Sequence, residues 1–258
     1  MKKQIIGLLA VFALAVSVAT AQTVATTPTA PATTPTVQTA TPDVVNFTVG
    51  YEDQYLFRGV KVADNVADAS LALSLPSKTN FDVISYWNTT NRTPRVGDET
   101  DYAVSQGFAL DSVTDLRIGT TVYTYPRVAP LKGNTTYSVE PFTSLTYKAF
   151  LSPTVLAAYD VNLREIYVEG DLSQRIPLVG GLSLVPAVGI GYATIHDLNP
   201  ESNKPQVKNS YYYGTGKIDL VYSPVKFFDV GVGLRTNYLN NSAIVKNNWA
   251  GGFATVKF

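Results

Sequence analysis

Phe228-Asp-Val-Gly-Val-Gly-Leu-Arg235 places a large apolar residue at every second position, with small or charged residues between them. Successive side chains of a β-strand point to opposite faces of its sheet, so this stretch predicts a strand with one apolar face and one small or polar face. The same alternation recurs from Leu182 to Ala193 and from Leu116 to Tyr123, and no segment shows a convincing helical period. The sequence therefore predicts an all-β fold.

The alternation predicts twelve strands along the chain. Most are about twice the five or six residues common in soluble proteins. They match the roughly 9–11 residues that a tilted strand needs to cross a membrane. The predicted ranges are 44–60, 66–76, 80–90, 99–111, 115–126, 136–148, 153–162, 164–176, 182–194, 210–222, 226–239 and 247–258.

The predicted connections alternate in length. A short turn follows every even-numbered strand up to the tenth, and longer polar segments connect several of the other pairs, at 90–98, 127–135, 195–209 and 240–246. Outer-membrane barrels combine short periplasmic turns and longer outer loops in this way. We therefore expect a transmembrane antiparallel up-and-down β-barrel of about 12 strands, with both termini on the periplasmic side because the strand count is even.

The composition favours a membrane barrel over a soluble one. Charged residues make up 16% of the chain, against roughly 25% in typical soluble domains, and the chain has 16 Tyr, 11 Phe and 18 Gly. The alternative, a soluble β-sandwich or lipocalin-like barrel, would carry more Lys and Glu on its outward positions. The net charge of zero gives no basic face for nucleic acid, and the absence of cysteine excludes disulfides and thiol chemistry.

The N-terminal region predicts export. Two lysines, an apolar run from Ile5 to Val18 and the small residues at 19–21 form a secretory signal peptide over 1–21. A retained membrane helix, the alternative, would need about 20 apolar residues. Residues 22–42 are rich in Thr, Pro and Ala and predict a disordered tether, or else a periplasmic contact or a site for sugars. The barrel is then expected over 43–258, in the outer membrane.

The C-terminal strand carries an assembly signal of its own. The chain ends in Trp249-Ala-Gly-Gly-Phe-Ala-Thr-Val-Lys-Phe258, with apolar residues at alternating positions before a terminal aromatic residue. This ending is typical of outer-membrane barrels, so by analogy we expect the barrel-insertion machinery to recognise the strand ending in Phe258. Outer-membrane lipid and lipopolysaccharide are the other expected partners. No phosphate loop, nucleotide fingerprint or metal-ligand spacing is present, so no cofactor is expected.

Several motifs resemble a known family. They are Tyr55-Leu-Phe-Arg-Gly59, Gly119-Thr-Thr-Val-Tyr-Thr-Tyr-Pro126, Tyr137-Ser-Val-Glu140 and the segment from Tyr167 to Pro177. In order and spacing over most of the barrel they resemble the TorF-type family of outer-membrane porins, whose first strand carries Tyr-x-Phe-Arg-Gly. This chain departs from the family pattern just before the first motif, where it has Asp-Gln. The resemblance implies a roughly 12-stranded outer-membrane protein that conducts small solutes.

The strand alternation places several charged residues on the inner face of the barrel. Arg58 is expected on the first strand near the outer rim, either binding an anionic group of a solute or pairing with Glu140 or another carboxylate. The acidic excess favours weak cation preference if the lumen is open. The lumen candidates are Glu52, Arg58, Arg117, Glu140, Glu165, Glu169, Asp171, Lys217, Asp219 and Arg235, together with Asp82, Asp160, Arg175 and Asp229.

The charge pattern favours conduction over catalysis. The one histidine, His196, begins the longest outer loop, beside Asp197 and near Glu201 and Ser202. A surface-loop residue is the better interpretation of it than a catalytic or metal-binding one, so we expect no enzyme. The leading hypothesis is a porin-like channel for passive diffusion of small polar solutes or ions. The alternatives are a non-conducting structural or surface-interaction barrel, whose loops serve as contacts or phage receptors, and an outer-membrane lipid hydrolase.

Overall fold

A computed structural model of the chain describes residues 45–90, 98–125, 136–162, 164–194, 210–240 and 244–258. The predicted signal peptide and tether lie outside these residues, as do His196, Asp197, Glu201 and Ser202. The strands are β1 (Val45–Phe57), β2 (Val60–Ser74), β3 (Thr79–Asn88), β4 (Glu99–Ala109), β5 (Thr114–Thr124), β6 (Tyr137–Tyr147), β7 (Thr154–Asp160), β8 (Glu165–Ser173), β9 (Ile176–Pro177), β10 (Leu182–Thr194), β11 (Ser210–Val225), β12 (Phe228–Asn240) and β13 (Ile244–Lys257).

The strands form one closed antiparallel barrel. Each strand from β1 to β7 pairs with the next, β8 pairs with β10, β10 to β13 continue the sheet, and β13 pairs with β1. The two-residue β9 pairs with β10 beside β8, so β8 and β9 together make one crossing of the wall. The predicted up-and-down barrel of twelve strands is therefore confirmed, and the predicted range of β10 is reproduced to the residue.

The outer face of the barrel is apolar. Alternate residues on β3, β4 and β12 are large hydrophobic side chains exposed to the surroundings, among them Phe81, Val83, Trp87, Tyr102, Val104, Phe108, Val230, Val232 and Leu234. Their neighbours in sequence point to the interior, as the period of two requires. Within the described ranges, no helix is long and apolar enough to cross a membrane.

The two ends of the barrel differ in the length of their connections. One end, called here the short-turn end, carries the connections that follow β2, β4, β6, β9 and β11, and both ends of the sheet-forming chain. The other, the long-loop end, includes the connections over 89–98, 125–136 and 195–209. The predicted long segment at 240–246 is shorter than expected, because β13 begins at Ile244.

The first hairpin departs from the prediction. The sequence predicts a first strand over 44–60, but β1 ends at Phe57 and the chain reverses at Arg58 and Gly59, which have positive φ angles of 49° and 78°. A two-residue turn with left-handed residues matches the twist of a β-hairpin. The prediction that Arg58 lies on the first strand is therefore wrong, because Arg58 is the first residue of this turn.

The turn end of this hairpin extends past the ladders that join it to its neighbouring strands. The β1–β13 ladder ends at Glu52↔Gly251 and the β2–β3 ladder ends at Val66↔Asn88, whereas β1 and β2 remain paired as far as Phe57↔Val60. A register shift at Tyr55 and Leu56 interrupts that ladder, and such irregularities bend a ribbon. Residues 54–64 therefore form a two-stranded projection, called here the hairpin tip.

Candidate functional site: the barrel lumen

The hairpin tip lies inside the barrel and contacts widely separated parts of its wall. The Gly59 carbonyl accepts a hydrogen bond of 2.8 Å from Asn237 Nδ2 on β12. On β5, the ring of Tyr123 meets the ring of Phe57 edge-on, with centroids 5.7 Å apart. Because β5 and β12 lie far apart around the barrel, contacts with both place the tip across the lumen.

The hairpin tip packs closely on aromatic side chains of the barrel wall. Gly59 packs on Tyr213 of β11 so closely that a Cβ atom on Gly59 would lie 2.5 Å from the Tyr213 Cβ. At the base of the tip, Tyr55 stacks on Tyr86 of β3, with ring centroids 4.5 Å apart. Glycine at this turn therefore serves both the positive φ angle and the close approach.

Arg58 is held by two carboxylates and two aromatic rings. Its guanidinium donates to Glu140 on β6, and Nη1 lies 3.4 Å from Glu165 Oε1 on β8. The same group lies over the rings of Phe57 and Tyr167, at 4.5 and 4.2 Å from their centroids. Arg58, Glu140 and Glu165 are all buried, so the ion pairs provide the counter-charge that burial of each charge requires.

A cavity of about 520 Å³ adjoins the hairpin tip. Its boundary combines the tip with charged and aromatic side chains of the wall, including Arg117, Glu140, Phe142, Glu169 and Trp249. Glu169 accepts hydrogen bonds from the hydroxyls of both Tyr167 and Tyr213. The cavity is therefore hollow and lined by both charged and apolar side chains, in contrast to the filled apolar core of a soluble β-sandwich.

Further ion pairs lie elsewhere in the lumen. Arg235 bridges Glu52 and Asp219, at 3.1 and 2.5 Å, and Lys217 lies 2.9 Å from the same Asp219. On the other side of the barrel, Arg117 lies 2.7 Å from Asp82. Towards the short-turn end, Asp229 lies 3.0 Å from Lys257 Nζ and 3.5 Å from Arg175 Nη1. These basic side chains thus each have a carboxylate partner.

The structure places all the sequence-derived lumen candidates on the inner side of the wall or, for Arg58, inside the lumen. It brings Arg58, Glu140 and Glu165 together, and separately Glu52, Lys217, Asp219 and Arg235. Glu169 and Asp171 follow on the same face of β8. The Arg58–Glu140 pair is the structural role that the sequence offered for Arg58, alongside binding of a solute anion.

Several inward charges were not among the residues predicted from the sequence. Asp68, Glu99, Asp101, Asp115 and Lys257 share the inner face with the candidates. The signal for two of them was available, because Tyr102 and Val104 are outward on β4 and alternation assigns Glu99 and Asp101 to the opposite face. Among the described residues, no group of three or more His, Cys, Asp or Glu side chains could hold a metal ion.

Comparison with known proteins shows the fold but no family. No family model and no curated protein matches the chain. The NanC porin structure is similar at a TM-score of 0.57 and 12% identity, covering 83% of this chain and 100% of that chain. The KdgM porin has a TM-score of 0.55 and 9% identity, covering 83% and 98%. An outer-membrane channel from Pseudomonas putida F1 has a TM-score of 0.52 and 12% identity, covering 88% and 100%. At these identities the similarity is one of architecture, and this chain has the barrel fold seen in outer-membrane porins and channels.

Proposed function

We propose that the protein is an outer-membrane channel through which small polar solutes or ions diffuse passively. The observation that carries the proposal is the inverted polarity of the barrel. Its outer face presents large apolar side chains, while its interior holds charged residues around a cavity of about 520 Å³. A bilayer requires the first feature and a water-filled path requires the second.

The number of strands fits a narrow channel. Eight-stranded barrels have interiors that side chains fill, and barrels with 16 to 18 strands leave a wide aqueous channel. A barrel of twelve strands lies between these sizes, and here the hairpin tip narrows it further. We therefore expect a small conductance that admits ions and small polar solutes.

The remaining expectations from the sequence belong to the same proposal. The signal peptide over 1–21 exports the chain, both barrel termini face the periplasm, and the terminal strand ending in Phe258 engages the insertion machinery. We also propose membership of the TorF-type porins, on the resemblance of Tyr55 to Gly59 to the motif of that family; in this chain the motif forms the end of β1 and the hairpin turn. Two of the three structures compared with this chain are porins and the third is a channel, which agrees with this proposal at the level of fold.

Single-channel recording tests the proposed function. The full-length mature protein is refolded into planar lipid bilayers, and currents are recorded in KCl. Discrete, reproducible conductance steps are the expected result. Stable insertion without such steps, with folding verified by circular dichroism, would contradict a channel and favour the non-conducting barrel.

A further inference from the structure

Within the part of the chain that the structure describes, the buried charged side chains near the long-loop end are acidic apart from one guanidinium group. Within the described ranges, five buried inward carboxylates lie at this level, close to the ends of β4, β6, β7 and β8, namely Glu99, Asp101, Glu140, Asp160 and Glu165. The basic side chain among them is Arg58, which does not belong to the wall but to the hairpin tip. The charge balance of this level therefore depends on where the tip lies.

The hairpin tip is attached to the wall mainly by side-chain contacts. Beyond Glu52 and Val66 the backbone ladders that join β1 to β13 and β2 to β3 come to an end. The contacts that hold the tip across the lumen include the Arg58 ion pairs, the Asn237–Gly59 hydrogen bond, the packing of Gly59 on Tyr213 and the aromatic packing of Phe57. The Arg58 ion pairs are thus the strongest of these contacts in electrostatic terms, and they hold a positive charge beside the lumen cavity.

We propose that Arg58 determines the charge selectivity and the conductance of the lumen, acting as a fixed cation on the hairpin tip that constricts it. This inference rests on the proposed channel function. Docked between Glu140 and Glu165, the guanidinium offsets the surrounding carboxylates and repels permeating cations. Without it, the same carboxylates face an emptier lumen and select for cations.

The test compares matched charge substitutions on the same hairpin. Arg58→Gln removes the docked charge, and Arg58→Lys keeps the charge but loses the planar group that contacts two carboxylates. Lys61→Gln is the control, because Lys61 is exposed on the same hairpin and pairs locally with Asp64. Single-channel conductance in symmetric KCl and the reversal potential in a KCl gradient are measured for each.

The expected result is specific to Arg58. Arg58→Gln should raise the conductance at least about twofold and move the reversal potential towards that of an ideally K⁺-selective pore. Arg58→Lys should keep the selectivity of the unmodified protein, and Lys61→Gln should match the unmodified protein in both measurements. If Arg58→Gln and Lys61→Gln instead give the same conductance and reversal potential, Arg58 does not lie in the ion path and the inference is wrong.

A second variant covers the case in which Arg58→Gln does not fold. Replacing residues 55–63 with Asn-Gly joins Gln54 and Asp64, which are already paired, through a standard two-residue turn. This variant removes the tip and leaves the wall carboxylates in place, so it should conduct more and prefer cations strongly. A folded, shortened barrel with unchanged conductance and selectivity would overturn the inference while leaving the channel function intact.

The two proposals fail in different ways. If the unmodified protein conducts but neither variant differs from it, only the role of Arg58 is refuted. If the unmodified protein is silent and the shortened hairpin conducts with cation preference, the tip closes the lumen, which supports the constriction and contradicts passive diffusion through the unmodified protein. If neither conducts, the channel function is refuted and the role of Arg58 with it.

Discussion

Replacing Gly59 with alanine should destabilise the barrel more than the same change at any exposed turn. Gly59 has a φ angle of 78°, and a side chain in the left-handed region costs roughly 1–2 kcal/mol. The new Cβ would also lie 2.5 Å from the Tyr213 Cβ, so the backbone or the Tyr213 ring would have to move. Overpacking of this kind costs about 1–3 kcal/mol. The expected loss is therefore about 2–5 kcal/mol.

Gly180 provides the matched control. Its φ angle is also positive, at 62°, but no atom lies within 4 Å of the position that a Cβ would occupy. Gly180→Ala should therefore lose only the backbone contribution, roughly 1–2 kcal/mol. The difference between the two variants measures the contact between the hairpin tip and β11.

Reversible urea unfolding of the protein in lipid vesicles gives both free energies. Tryptophan fluorescence is a suitable signal, because Trp249 donates a hydrogen bond of 2.8 Å to Glu52 at the level where the tip leaves the wall. Equal losses for Gly59→Ala and Gly180→Ala would show that the tip does not pack on Tyr213, and the placement of the tip within the lumen would then be refuted.

Three further changes test other parts of the structure. Arg235→Met leaves Asp219 buried without its closest counter-charge and should cost about 3–5 kcal/mol in the same unfolding assay, whereas Arg175→Met, whose side chain is 47% exposed, should cost under about 1 kcal/mol; similar losses would contradict a buried Arg235 network. Val104→Arg on the apolar outer face should cost about 2–4 kcal/mol in vesicles, and Leu110→Arg at the short-turn end about 0–1 kcal/mol; the reverse order would mean that the apolar band is placed wrongly. Hydrogen bonds from the Val113 N–H and from Thr114 lower the pKa of Asp111 in the β4–β5 turn, so its stabilising contribution is present above the usual aspartate pKa and is lost as the pH falls through the lowered value. Asp111→Asn should therefore remove part of the acid sensitivity of unfolding, and an unchanged pH profile would show that this carboxylate contributes nothing.

The barrel itself could be predicted because the pattern that produces it is present within short stretches of the sequence. Each strand separates an apolar surrounding from a polar interior, so the period of two is present within every stretch such as Phe228 to Arg235. Alternation also assigns faces, which is why the sequence alone was enough to place Glu140, Glu165 and Asp219 inside the barrel. Glu99 and Asp101 are not among the candidates predicted from the sequence, but the same rule assigns them to the inner face.

The position of the hairpin tip could not be predicted because the contacts that hold it join residues that are distant in sequence. Arg58 and Glu140 are separated by 82 residues, and Gly59 and Asn237 by 178. Locally, Tyr55 and Phe57 continue the alternation of a strand, and the turn has a single conventional signal, Gly59. A non-glycine residue with positive φ, such as Arg58, is uncommon, and here the contacts with β6 and β8 compensate for it.

The inward position of the tip is compatible with a closed barrel because side chains cover the edge that it vacates. Above Glu52, β13 no longer has β1 as a backbone neighbour, and an unpaired edge in hydrocarbon would be costly. The carboxylate of Asp53 accepts a hydrogen bond of 3.3 Å from the Ala250 N–H, and Glu52 accepts one from Trp249. Asp53 at the point of departure thus replaces one backbone bond that β1 would have made, and the Glu52 carboxylate holds the indole N–H of Trp249 beside it. The wall can therefore release its first hairpin into the lumen without opening at the level of Glu52, and Arg58 reaches the opposite wall as a result.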